Sequence, residues 1–341
     1  MAQKPRIKVP GHAASYHVIT RVNSRDFRLN TYMKKKFVKT LRKLKDLFYV
    51  KYCGFVCLSN HYHILLNVSD PEDVDSKDAI KRWNDYHEKE YKRNASIEAN
   101  REYVVKHLTD ISYFMKRLNV LLTNAYNRHT GKTGTLWEKR YFSNIIERGM
   151  GMVQCGAYIE LNSFRASLTS HPEDYEYSSI NELKRGNPSG LIAIDLLEEG
   201  LGISSLNSRL RDRREFALEV FKTYLSYIYE AGTDPHKDKD GLSEKGGLVI
   251  TDKMKARLKK HGIHTQEGSM RTKGAEYSRG KFIGGEEFAR RFYEEHIDVG
   301  CRGDYRKRHM EKWLHDMGNG VWGVFNIIHS RGDPEIKQAP L

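Results

Sequence analysis

The feature that most constrains this chain is Leu58-Ser59-Asn60-His61-Tyr62-His63-Ile64-Leu65-Leu66, a histidine pair between two apolar runs. The run before it, Tyr52 to Leu58, and the run after it, Ile64 to Val68, are short, apolar and rich in β-formers, so both read as buried strands. Side chains at i and i+2 of a strand share a face. The spacing therefore sets the imidazoles of His61 and His63 side by side and turns Tyr62 to the opposite face. Two polar side chains on a wet strand face are the plain reading of such a pair. The chemical reading is that two neutral imidazoles hold one divalent cation from one side and leave the other side open.

The rest of the chain bears on that choice. The 341 residues suffice for one large domain or two ordinary ones, and 39% hydrophobic with 30% charged residues is a soluble globular balance. No apolar run approaches the ~20 residues of a membrane helix. The N-terminal stretch carries no apolar signal region, so a cytoplasmic protein is expected. Cysteines at 53, 57, 155 and 301 form no C-x-x-C pair and are read as reduced thiols. A formal charge of +14 points to a polyanion as partner, with nucleic acid the commonest.

In order, Ala14 to Val22 alternates and reads as a first strand. Thr31 to Leu47 reads as a basic amphipathic helix with Phe37, Leu41, Leu44 and Leu47 on its apolar stripe. Residues 69–108 are polar and read as a surface insertion, helical around Trp83 to Lys92. A helix follows from Asp110, its N-cap, to Tyr126. Asn127 to Gly134 reads as a basic, glycine-punctuated loop running into Thr135 to Phe142, where cations alternate with aromatics as phosphate contact and base stacking require. A strand at Ser143 to Glu147 precedes a helix from Gly151 to Ala166, on which Tyr158 and Asn162 share a face. Strand, helix, strand, strand, helix, strand, helix is the order of an α+β, ferredoxin-like (RRM-like) layer with a mainly antiparallel sheet and helices on one face. Lys184 to Gly190 reads as a linker. Beyond it a mostly helical region is expected, with helices at Arg209 to Tyr229 and from Phe282, a mobile loop over 231–247 and a basic cluster at Arg302 to Arg308.

With these residues placed, the chain resembles the HUH (His–hydrophobic–His) single-tyrosine transposases, and within them the REP-associated tyrosine transposases of the IS200-like group. The resemblance rests on Tyr16-His17-Val18-Ile19-Thr20-Arg21, Asn60-His61-Tyr62-His63, Asn127 to Arg140 and Tyr158-Ile159-Glu160-Leu161-Asn162. It implies a catalytic domain over 1–183, with an insertion at about 69–108, and a C-terminal accessory region over 191–341 with a DNA-binding role. Tyr158 would be the nucleophile that cuts single-stranded or hairpin DNA, leaving a 5′-phosphotyrosine link. His61, His63 and Asn162 would hold Mg²⁺ or Mn²⁺; Asn162 stands where some relatives carry glutamine. Arg21, Arg128, Lys132, Lys139 and Arg140 would contact DNA. Tyr141 and Tyr126 are rival nucleophiles, and His17 reads as a packing histidine. A replication-initiator or relaxase-like nickase and a non-catalytic hairpin-binding regulator are the rival functions. Monomer or homodimer is left open.

Overall fold

Four stretches of alternating β-formers pair as antiparallel strands: β1 (Ala14–Arg21), β2 (Val50–Cys57), β3 (His61–Val68) and β4 (Phe142–Ile146), in spatial order β2-β3-β1-β4. This computed structural model describes residues 9, 12–91, 100–203, 212–233, 248–263, 280–284, 287, 288, 290, 291, 314–318 and 321–325. The register is fixed by burial, since a one-residue slip would exchange the two faces. One face carries Tyr16, Val18, Tyr62, Ile64 and Leu66; the other carries Ser15, His17, His63 and Asn67.

The helix α1 (Thr31–Leu47) is capped by Asn30, whose side chain accepts from the Met33 N–H, and packs Phe37 between Phe55 and Tyr62. After α2 (Ser76–Tyr91) and α3 (Arg101–Leu108) comes α4 (Ile111–Thr130), capped by Asp110 as its sequence requires. The stretch read as a surface insertion does more than decorate the surface. Ala79, Tyr86, Val104 and Leu108 are buried with the α1 and α4 stripe, because both inserted helices carry an apolar face. The loop expected from Asn127 begins later: α4 continues to Thr130 and stops at Gly131, which takes the left-handed conformation that glycine adopts without steric cost. The cations drew that stretch as a loop, yet Arg128 rides the last helical turn.

The sheet is not covered on one face only. The helix α5 (Met150–Arg165) lies across the side opposite α1 and α4, with Met152, Cys155 and Ile159 against Cys53, Val56 and Leu65. It approaches closely at β2: a side chain at Gly54 would meet the Gly156 backbone, and one at Gly156 would collide with the Tyr224 hydroxyl. Behind α5 stand α6 (Ser179–Lys184), α7 (Ile194–Leu201) and α8 (Arg213–Ala231), and α8 buries Val220, Tyr224 and Ile228 at four-residue steps along one face. The edge strand β2 is covered by residues 175–193. Cys57 N–H donates to the Tyr177 carbonyl, and Ala193 N–H donates to the Tyr52 carbonyl.

Beyond α9 (Asp252–Lys260) the C-terminal region is not purely helical. Phe282 lies in a strand, β5 (Gly280–Gly284), which pairs parallel to β4; β7 (Val321–Phe325) and β6 (Leu314–Gly318) extend the sheet further, in the order β4-β5-β7-β6. The helical periodicity from Phe282 starts later, and residues 287, 288, 290 and 291 are helical. Of the mobile loop expected over 231–247, residues 231–233 instead close α8, and 234–247 lie outside the described residues, as do the basic cluster Arg302 to Arg308, Cys301 and the N-terminal stretch before residue 9.

Candidate active site

The period-two argument holds at the histidines. The Tyr62 hydroxyl donates to Asn119 Oδ1 (2.6 Å) on the α4 side, while the rings of His61 and His63 stand 5.0 Å apart on the α5 side. His63 is 2% exposed, and His61 is half-buried. Two neighbours fix their rings. His61 Nδ1 donates to Asn60 Oδ1 (2.6 Å), and His63 Nδ1 lies 2.9 Å from His17 Nε2 with the two rings stacked, 13° between planes. With its proton on Nδ1, His63 donates to His17 and keeps a lone pair on Nε2; His61 does the same against Asn60. Holding the far nitrogen this way is how a protein orients imidazoles toward a cation.

Burial keeps both rings neutral. It pushes His61 down to about 4, with Arg21 adding to the effect, and drives His63 well below the ordinary imidazole range, with His17, His61 and Arg21 adding to it. Desolvation disfavours a charged imidazole that has no anionic partner. With both Nδ1 atoms carrying the proton, both Nε2 lone pairs are available at neutral pH.

The ring of Tyr158 packs against this cluster nearly edge-on, 5.9 Å from His63 and 6.0 Å from His17. The close crossing at Gly54 and Gly156 brings it there, two residues before Tyr158 on the helix. A second fastening lies on the same turn: Ser179 accepts from the Phe55 N–H (2.6 Å) and donates to the Glu160 carboxyl, tying α5 to β2 through α6. Tyr141 is buried on the other side, its hydroxyl 3.0 Å from Ser112 on α4, and Tyr126 belongs to the same α4-side core. Among the three tyrosines weighed from sequence, Tyr158 is the one against the imidazoles.

Asn162 sits one turn beyond Tyr158, half-buried, with its Nδ2 donating to the carbonyls of Tyr158 (2.8 Å) and Ile159 (3.3 Å). Its carboxamide oxygen is the atom left to meet an ion. Among the described residues no group of three or more His, Cys, Asp or Glu is set to hold a metal. The donors the sequence pointed to are two neutral imidazoles and one carboxamide, a set of the kind that suits a divalent cation taking its other ligands from water or substrate oxygens.

The five cations expected to touch DNA are all exposed. Arg21 ends β1 directly across from His61 in the sheet register. The segment carrying Lys132, Lys139 and Arg140 is fastened beside it: Asn23 N–H donates to the Leu136 carbonyl (2.9 Å), Glu138 N–H donates to the Arg21 carbonyl (3.0 Å), and the Trp137 indole donates to the Asn119 carbonyl (3.2 Å). Sequence reasoning missed the roles of His17 and Asn60. Their signal is only a cross-strand register, which puts His17 one pair along from His63 on the same face.

Residues 11–120 match the family described as "Transposase IS200 like". No curated protein matches the chain. A solved REP-associated tyrosine transposase bound to a REP hairpin is similar at 15% identity over 57% of this chain and 90% of that chain, with a TM-score of 0.35, a likeness too loose to carry a conclusion. Among the described residues no helix is long and apolar enough to cross a membrane.

Proposed function

We propose that this chain, whose residues 11–120 match the IS200-like transposases, is a DNA-cutting and DNA-joining enzyme that cuts and rejoins single-stranded, hairpin-bearing DNA through Tyr158. The observation that carries the proposal is the Tyr158 ring lying about 6 Å from the rings of His63 and His17. The Tyr158 oxygen attacks the phosphorus of a scissile phosphodiester. An O–P bond to tyrosine forms, the bond from phosphorus to the 3′-oxygen breaks, and the phenol proton is balanced by the proton taken up at the departing 3′-hydroxyl. Because one phosphoester replaces another, a second 3′-hydroxyl can reverse the step and rejoin a strand.

His61 and His63 through Nε2, and Asn162 through its carboxamide oxygen, would hold Mg²⁺ or Mn²⁺. When bound, the cation supplies charge stabilisation at the phosphate. His17 and Asn60 keep the imidazoles oriented, and burial keeps them neutral. Arg21 and the pinned segment with Lys132, Lys139 and Arg140, together with Arg128, hold the strand by its phosphates. In this reading residues 1–183 form the catalytic domain and 191–341 the accessory region; Tyr224 of α8 against Gly156 supports a bracing role for the latter.

The test is incubation with labelled single-stranded DNA copied from the flanks of its own gene, with Mn²⁺ or Mg²⁺. A covalent adduct should form and map to the peptide holding Tyr158. A wild-type chain that binds the hairpin but never forms an adduct would be a binding protein instead.

A further inference from the structure

The turn between β1 and α1 holds an aromatic ring out in solvent beside the site. Phe27 is 80% exposed, yet the turn that carries it is fastened on both sides. Val22 N–H donates to the Asn60 carbonyl (2.8 Å), Leu29 N–H donates to the Ser59 carbonyl (2.8 Å), and the Asn60 side-chain amide donates to the Arg25 carbonyl (3.2 Å). Arg28 pairs with Asp26 (2.6 Å), and Leu29, two residues on, is buried. Ser24 and Arg25 both hold left-handed backbone, with φ of 58° and 55°, a strained choice for two successive non-glycine residues. A rigid turn that leaves a whole phenyl ring in water gains nothing from that ring in the free protein. Asn60, which grips the turn, is also the residue that orients His61.

A second aromatic surface lies just beyond. Tyr32, in the first turn of α1, stacks on His129, in the last turn of α4, with ring centres 4.1 Å apart and 16° between planes; Tyr32 is 44% exposed. The surrounding charge is positive: Arg21, Arg25, Arg128 and Lys132 are exposed on the adjoining segments. Exposed planar rings among cations are the pattern that takes unpaired bases by stacking while the cations take the phosphates.

We propose that Phe27, together with the Tyr32–His129 stack at the start of α1, is a stacking platform for unpaired bases of the DNA strand next to the scissile phosphate. The inference deepens the reading above and rests on single-stranded DNA being the substrate. The occupant is a nucleobase rather than a second copy of the chain, because the rings are set among like positive charges that would repel a copy and attract a polyanion.

The experiment titrates the full-length protein into a single strand, copied from the flanks of its own gene, with 2-aminopurine placed in turn at positions beside the cleavage site. Wild type should quench the fluorescence at one or two positions, as stacking does. Phe27→Ala should lose that quench and bind roughly tenfold to a hundredfold more weakly. Phe27→Trp should keep both, and Phe27→Leu, which retains bulk without a π-face, should lose the quench. Equal affinity and equal quench in Phe27→Ala and wild type overturn the platform while leaving the substrate class intact. So does a change in oligomeric state with DNA binding unaltered, which would mark the ring as a contact between copies. A wild type that binds no single strand overturns the proposed function itself, and this inference with it.

Discussion

The two faces of the one sheet have opposite chemistry although the same strands make both. On the α1 and α4 side, Tyr16, Val18, Phe55, Tyr62, Ile64 and Leu66 interdigitate with Phe37, Phe114 and Leu118 in a dry core. On the α5 side, the same strands turn out Ser15, His17, His63 and Asn67, with Asn144 beside them on β4, all buried and polar. A buried polar face costs stability unless its groups are satisfied. Here His17 lies against His63 at 2.9 Å, and Asn67 donates to Ser15 (3.1 Å). One face fixes the fold and, on the proposed reading, the other carries the chemistry, and alternation lets each be tuned with little effect on the other.

That division can be broken from either side. The largest expected effect is on the chemical face: Tyr158→Phe should abolish the covalent DNA adduct on a denaturing gel while leaving the urea midpoint close to wild type. Adduct formation that survives the change would remove Tyr158 from its role. On the apolar face, Phe37→Ala should cost roughly 3–5 kcal/mol in denaturant unfolding, the usual loss for a buried Phe, without altering which residue forms the adduct in the fraction that stays folded. A loss below about 1 kcal/mol would show that the core relaxes around the cavity.

The joint between the faces should show in pH. Burial raises Glu160 from an ordinary 4.5 to about 8. The folded chain then holds this carboxyl protonated where the unfolded chain ionises it. Its contribution to stability is complete below pH 4.5 and is lost as pH rises toward 8, by roughly a few kcal/mol across that window at about 1.36 kcal/mol per pH unit. Comparing unfolding curves of wild type and Glu160→Gln through the window checks this: the variant should show the shallower slope. The smallest effect concerns orientation alone. His17→Ala should weaken Mn²⁺ binding roughly tenfold to a hundredfold, read by calorimetry or by the manganese paramagnetic signal, because His63 loses the partner on its other nitrogen. Unchanged affinity would return His17 to the packing role that its place in a buried strand first suggests.

Legibility followed the range of the interactions. Local periodicity placed β1, α1 and α5 within a residue or so, whereas β2 and β3 begin two and three residues before their apolar runs; the Asn30 and Asp110 caps mark where α1 and α4 start. The apolar faces of α2 and α3 were overlooked because a polar composition masked them. The Phe282 strand was misread because Gly280 to Gly284 has too few residues to separate a strand period from a helical one. The candidate site divided in the same way. The His61 and His63 pair and the Tyr158 and Asn162 pair were each visible as spacings within one element. That α5 crosses the sheet on the side opposite α1 was not visible.

By itself the sequence determined which face of β3 each histidine takes, since alternation along a strand is a local consequence of backbone geometry. It also determined the surplus of positive charge. Only the tertiary structure decided that Gly54 and Gly156 let a helix lie close enough to bring a phenol to the imidazoles, that His17 and Asn60 hold their far nitrogens, and that Phe27 stands in water on a turn fastened to Asn60. Those facts depend on contacts between residues far apart in the chain, whose free energies no local pattern encodes.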